Sequence, residues 1–203
     1  MPRALRTTAL LLPLAVLASG CLIENTLDAK GGGTVKAVYK MAKDQTLDQQ
    51  KKQFTSSTMA VTKADVDADN TVHIEATYKD VTKLSTAPIF KGVVLAITSD
   101  DKAGTRTITA KQVNRNPAKL PEAVVEYFGK DFTFSVTLPG EVVKSNASET
   151  KGNTATWNMP LTRIIGDKEI PFEVTYKAGT DDKAVAGGTP AASADPGATP
   201  AAK

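Results

Sequence analysis

A single cysteine and a single histidine stand in the 203 residues, and that scarcity excludes more chemistry than any motif supplies. With one thiol no internal disulfide can form, so the fold must rest on packing alone. One imidazole and one thiol cannot complete a zinc site. His73 has no recognisable nucleophile to serve as a base, and no acid–base pair or nucleophile elbow is evident elsewhere, so the chain does not read as an enzyme. The net charge is +3, and it falls to +1 once Arg3 and Arg6 leave with the first twenty residues. A nucleic-acid partner would need a clustered basic face, which this balance excludes. Beyond residue 20 no apolar run approaches the ~20 residues of a membrane-spanning helix.

The residues that are present begin with an address. Arg3 and Arg6 form a basic head, Leu10 to Leu17 an apolar run too short to span as a stable helix, and Ala18-Ser19-Gly20 a stretch of small residues before Cys21. Together they describe a secretory signal over residues 1–20. Small residues directly before a cysteine are similar to the bacterial lipobox, in which that thiol is diacylated and becomes the new N-terminus. Cys21 is therefore the expected lipidation site, with a covalent diacylglycerol and an N-acyl chain and no other cofactor. The membrane is the expected partner through this anchor. Leu22, where enteric sorting would place an aspartate for retention, favours the outer membrane in a Gram-negative cell.

Residues 21–179 hold one domain's worth of periodic sequence. Leu22 to Leu27 can pair across the turn at Gly31-Gly32-Gly33 with an alternating strand carrying Val35, Ala37, Tyr39 and Met41. Its own alternation is poor. Thr46-Leu47-Asp48-Gln49 fits a capping box opening a helix to about Phe54. Two strands follow, residues 57–67 and 71–79, around the turn at Asp69-Asn70, and the second buries Val72, Ile74, Ala76 and Tyr78. After a possible turn of helix at Leu84, strands are expected over 89–98 and 106–113. A second helix is expected from Leu120-Pro121 to Phe128, with Leu120, Val124 and Phe128 on one face and Gly129 as its stop. Further strands read over 132–138, 141–146, 154–159 and 169–177. Residues 180–203 are Ala, Pro, Gly, Thr and Ser with almost no large apolar side chain, a composition expected to stay disordered. Interspersed helices and hairpin connections predict an α+β fold: a largely antiparallel sheet with two short helices packed on one face.

Five groups of residues are candidates for a site. Asp65, Asp67 and Asp69 alternate like the start of a calcium loop, but Asn70 stands at the position needing glycine and Ala76 at that needing glutamate, which favours a solvated hairpin end. His73 shares the polar side of its strand with Glu75 and Thr77, as an exposed histidine does. Gly31-Gly32-Gly33 lacks the lysine and serine of a phosphate loop, and Asn146-Ala147-Ser148 matches a glycosylation acceptor that carries no information in a bacterial lipoprotein. The aromatic residues concentrate at Phe132, Phe134, Trp157, Phe172 and Tyr176. Core packing explains them, and so does a cavity between sheet and helices lined by Phe134, Val136, Trp157 and Phe172 that takes an apolar ligand.

Leu138-Pro139-Gly140-Glu141-Val142-Val143, Ser145-Asn146-Ala147 and Gly152-Asn153-Thr154-Ala155-Thr156-Trp157 form a proline-glycine, a short strand, an asparagine-centred turn and a Gly-Asn-Thr-x-x-Trp return. This passage, with the Gly33-Thr34-Val35 opening after the cysteine, resembles the LppM-like bacterial lipoproteins. The resemblance implies an α+β domain outside the cytoplasmic membrane, without known enzymatic activity and with lipid or amphiphile binding. The expected protein is thus a non-enzymatic envelope lipoprotein that binds lipid or another apolar ligand. The alternative is an envelope scaffold that binds protein through a sheet edge.

Overall fold

The computed structural model describes residues 20–179 except 115, 116, 118 and 120, so the signal residues 1–19, Leu120 and the 180–203 tail lie outside the described residues. In chain order the strands are β1 (Gly20–Leu27), β2 (Gly33–Lys40), β3 (Met59–Val66), β4 (Thr71–Tyr78), β5 (Val93–Asp100), β6 (Thr105–Val113), β7 (Asp131–Thr137), β8 (Val142–Ser145), β9 (Glu149–Lys151), β10 (Thr154–Pro160) and β11 (Glu169–Lys177). The helices are α1 (Leu47–Gln53), α2 (Glu122–Phe128) and α3 (Leu161–Gly166). They are short.

This corrects the expected α+β architecture. The strands form two sheets, one of seven in the order β3-β4-β2-β1-β7-β10-β9 and one of four in the order β5-β6-β11-β8. The apolar rows of β1, β7 and β10 are covered by the second sheet, and among the described residues no helical layer covers them. Pairing is antiparallel except between β1 and β7, which run parallel with Cys21 opposite Phe132 and Asn25 opposite Val136. Parallel neighbours need a long crossover, and here everything from β2 to α2 lies between them.

Local chemistry sets the hairpins. Asp28 Oδ1 accepts from the backbone N–H groups of Lys30 and Gly32, and Gly31 turns the chain at φ 87°. That brings β2 back against β1 with Leu27 opposite Gly33. Gly33 is glycine for a further reason: a Cβ there would lie 2.0 Å from Thr26 O and 2.5 Å from the Tyr78 hydroxyl, which crosses over it. On β4 the inward residues Val72, Ile74, Ala76 and Tyr78 are all buried, and Asn70 takes the left-handed turn conformation at φ 63°.

The helices are set by local signals. Thr46 and Gln49 form the capping box of α1, and Phe54 after it is buried between Tyr39 and Phe90, with ring centroids 6.4 Å away in each case. Phe90 belongs to a 3-10 turn over Pro88–Phe90, so the strand expected from residue 89 starts at Val93: proline at the first helical position favours the turn. In α2, Pro121 is the cap and Gly129 ends the helix at φ 93°. Two elements are not evident from pattern. β9 is a three-residue edge strand without an apolar residue, and α3 occupies the link between β10 and β11.

Candidate functional site

A cavity of about 660 Å³ lies between the sheets. Alternation builds its walls: Ile23, Asn25 and Leu27 of β1 and Phe134 and Val136 of β7 face Leu95, Ile108, Ala110 and Val174 of the second sheet. The second sheet presents small side chains at Ala110 and Val174, leaving room that its partner's aromatic rings do not fill. The four expected lining residues, Phe134, Val136, Trp157 and Phe172, all contribute to this wall. Its position is a correction, because the space lies between two sheets. Helical segments only rim it, through Leu84, Phe90, Leu161 and Ile164.

Three aromatic rings form one block of the wall. Phe134 stacks on Trp157 at 5.6 Å, and Phe172 meets both edge-on at 5.3 and 5.4 Å. The block bridges the sheets, since Phe134 and Trp157 are paired across β7 and β10 while Phe172 is on β11. Tyr176 is buried outside the cavity lining. The indole is aimed by its polar edge: Trp157 Nε1–H donates to Asn146 Oδ1 at 2.9 Å, and the same oxygen accepts from Glu173 N–H at 2.8 Å. Asn146 Nδ2 donates in turn to Pro171 O at 3.1 Å. The asparagine of the apparent glycosylation acceptor is therefore a structural clamp.

Polar groups interrupt the apolar wall at a few points. At one end Asn114 Nδ2 donates to the carbonyls of Ile164 and Asp167 at 2.6 and 2.7 Å, tying β6 to α3. Cys21 belongs to this end, because Leu161 N–H reaches Lys130 O at the start of β7, beside Gly20 and Cys21. Its thiol lines the cavity on the same face as Ile23, and desolvation pushes its pKa up to about 11. Further along β1, Asn25 Oδ1 accepts from the Tyr78 hydroxyl at 2.7 Å, and burial raises that phenol above its ordinary range. Neither Asn25 nor Tyr78 stands out as a site residue in the sequence. The signal is the weak alternation of Leu22 to Leu27, which is weak because an asparagine occupies an inward position.

The remaining candidates do not assemble. Asp65, Asp67 and Asp69 turn to three different partners, Lys63 at 3.4 Å, His73 at 2.9 Å and Lys40, so their carboxylates do not converge. Hydrogen bonds from Lys40 and Thr71 hold the Asp69 carboxyl down at about 2. His73 is a partly exposed strand residue whose Nε2 faces Asp67 Oδ2. No helix of the described residues is long and apolar enough to cross a membrane.

The LppM domain family matches residues 26–164, more than half of the chain. No curated protein matches. Among solved structures, the NMR structure of the folded domain of Mycobacterium tuberculosis LppM is similar at 13% sequence identity and a TM-score of 0.47, covering 81% of this chain and 92% of that one.

Proposed function

The chain belongs to the LppM family, a family of lipoproteins, and we propose that it is a non-enzymatic, lipid-anchored envelope protein whose two sheets hold one apolar chain of a lipid between them. The observation that carries this is the cavity. Its volume falls within the roughly 300–1,000 Å³ of small-molecule sites. The space is partly open, and water inside it is a poor filler because so few lining groups can bond it. An apolar ligand covers that wall and removes its surface from water.

The anchor fits the same reading. The Cys21 sulfur lies on the inner face of β1, so a diacylglycerol thioether would leave from the cavity's end, and a lipid passing between membrane and cavity would travel only a short way. The reading as a scaffold docking through a sheet edge gains less support: the outer strand β3 carries Lys63 and Asp65 and a register shift between Val61 and Lys63, features that discourage edge pairing.

Native mass spectrometry of the protein purified from its own membrane tests the proposal. We expect a non-covalent lipid mass that gentle activation releases. Only the covalently lipidated protein, with nothing bound, would contradict it.

A further inference from the structure

Asn25 is a polar side chain on an otherwise apolar inner row, between Ile23 and Leu27, and it is 7% exposed. Its orientation is imposed from behind. Tyr78 crosses over Gly33, where no side chain blocks it, and its hydroxyl donates to Asn25 Oδ1 at 2.7 Å. With the carbonyl held, the amide N–H₂ is what Asn25 presents, and among the described residues no acceptor bonds it. The amide nitrogen is not fully enclosed, so whatever fills the cavity can supply its missing acceptor, and an inverted polar residue in an apolar wall is the kind of local conflict that sequence retains for a site. Asn25 lines the cavity.

Resting on the cavity reading above, we propose that the Asn25 side-chain amide is a polar subsite that hydrogen-bonds the carbonyl oxygen of a neutral acyl ester or amide whose chain fills the cavity. A donor selects a ligand that brings an acceptor, so the ligand is an acyl compound and a bare hydrocarbon is second best. Charge selects further. Among the described lining residues Lys91 is the one charged side chain and it is exposed, so the interior offers no cation to a carboxylate. Burying that charge beside one neutral amide is unfavourable, whereas an ester carbonyl loses little. The position also matters. Asn25 is four residues from Cys21 on an extended strand, about 13 Å at ~3.3 Å per residue, so the carbonyl sits well inside the cavity and away from its lipidated end.

The purified full-length protein is titrated with methyl decanoate, methyl decyl sulfide and sodium decanoate, each monomeric, at pH 8; the thioether matches the ester in length but its sulfur is only a weak acceptor. We expect the ester to bind about 2- to 10-fold more tightly than the thioether, the worth of one hydrogen bond, and more tightly than the carboxylate. In Asn25→Leu the ester and thioether should bind alike. The carbonyl infrared band of bound ¹³C-labelled methyl decanoate should lie at lower wavenumber in the native protein than in the variant. Should Asn25→Leu fail to fold, the side-chain amide proton resonances of Asn25 in the native protein decide: they move further with ester than with thioether. Ester and thioether binding equally to the native protein, a carboxylate preference, or an Asn25 amide unmoved by ester would overturn the subsite while leaving the cavity reading intact. Binding of none of the three would overturn the cavity reading itself.

Discussion

The indole N–H of Trp157 donates to Asn146 Oδ1 at 2.9 Å, and through that bond a residue of the seven-stranded sheet is held to a segment hydrogen-bonded along β11 of the four-stranded one. That oxygen, with its two donors, joins the bridging Phe134–Trp157–Phe172 block in setting the spacing of the sheets at this end.

Asn146→Ala should therefore leave the part-buried Trp157 N–H without its acceptor, while the exposed Glu173 N–H can turn to water. We expect a loss of about 1–3 kcal/mol in denaturant unfolding and a red-shifted Trp157 emission. Trp157→Phe keeps the Glu173 bond and should cost less than Trp157→Ala, for which about 3–5 kcal/mol is expected.

Gly33→Ala should be costly for so small a change at the first residue of β2. The added Cβ would meet Thr26 O at 2.0 Å and the Tyr78 hydroxyl at 2.5 Å, and the backbone oxygen cannot step aside. About 1–3 kcal/mol of overpacking is expected, with loss of the Tyr78–Asn25 bond seen as a shifted Asn25 amide resonance.

How far these features are legible in the sequence differs from residue to residue. The buried row of β4 and the capping box of α1 follow from local pattern alone, alternation in the first and the Thr-x-x-Gln spacing in the second. The division into two sheets does not, because alternation says which side of a strand turns inward and nothing about which strands share a sheet. β8 illustrates it: adjacent in sequence to β7 and β9, it pairs with β11 in the other sheet. The same limit moves the cavity. Phe134, Val136, Trp157 and Phe172 can be grouped as aromatic and apolar, but only the tertiary fold places Phe172 opposite the others. Asn25 is visible only as a blemish in an alternating run.

The Cys21 thiol of unacylated protein should be sluggish. Burial raises its pKa from 9.0 to about 11, so little thiolate forms near neutrality. Alkylation by iodoacetamide, followed by mass spectrometry, should be slow at pH 8 in the folded protein, fast after denaturation, and should accelerate toward pH 11. Because the folded pKa is the higher one, the thiol's contribution to stability is intact below 9.0 and is lost as pH rises through about 11.

Acylation of the same residue should govern attachment. One chain binds a membrane only marginally and two bind it stably, so Cys21→Ser should move the protein from the membrane pellet to the soluble fraction in a carbonate wash. Retention in the pellet would contradict lipidation at Cys21.

Asp69 offers an internal control on the exposed hairpin. Its carboxyl is held at about 2 by Lys40 and Thr71, and Lys40→Met should return it toward 3.8 in an NMR titration. Stability linked to this group is present above the unfolded value and lost as pH falls through about 2.

The central claim is that the space between the sheets takes an apolar acyl chain, and Trp157 in its wall reports on it. The most direct test is the emission of Trp157 in the full-length protein titrated with methyl decanoate below its solubility limit, beside Ala110→Phe, which adds a ring from the opposite wall. We predict a saturable one-site change in the native protein that Ala110→Phe abolishes while the variant stays folded. An emission that does not change, or one that changes identically when the cavity is filled, would contradict it.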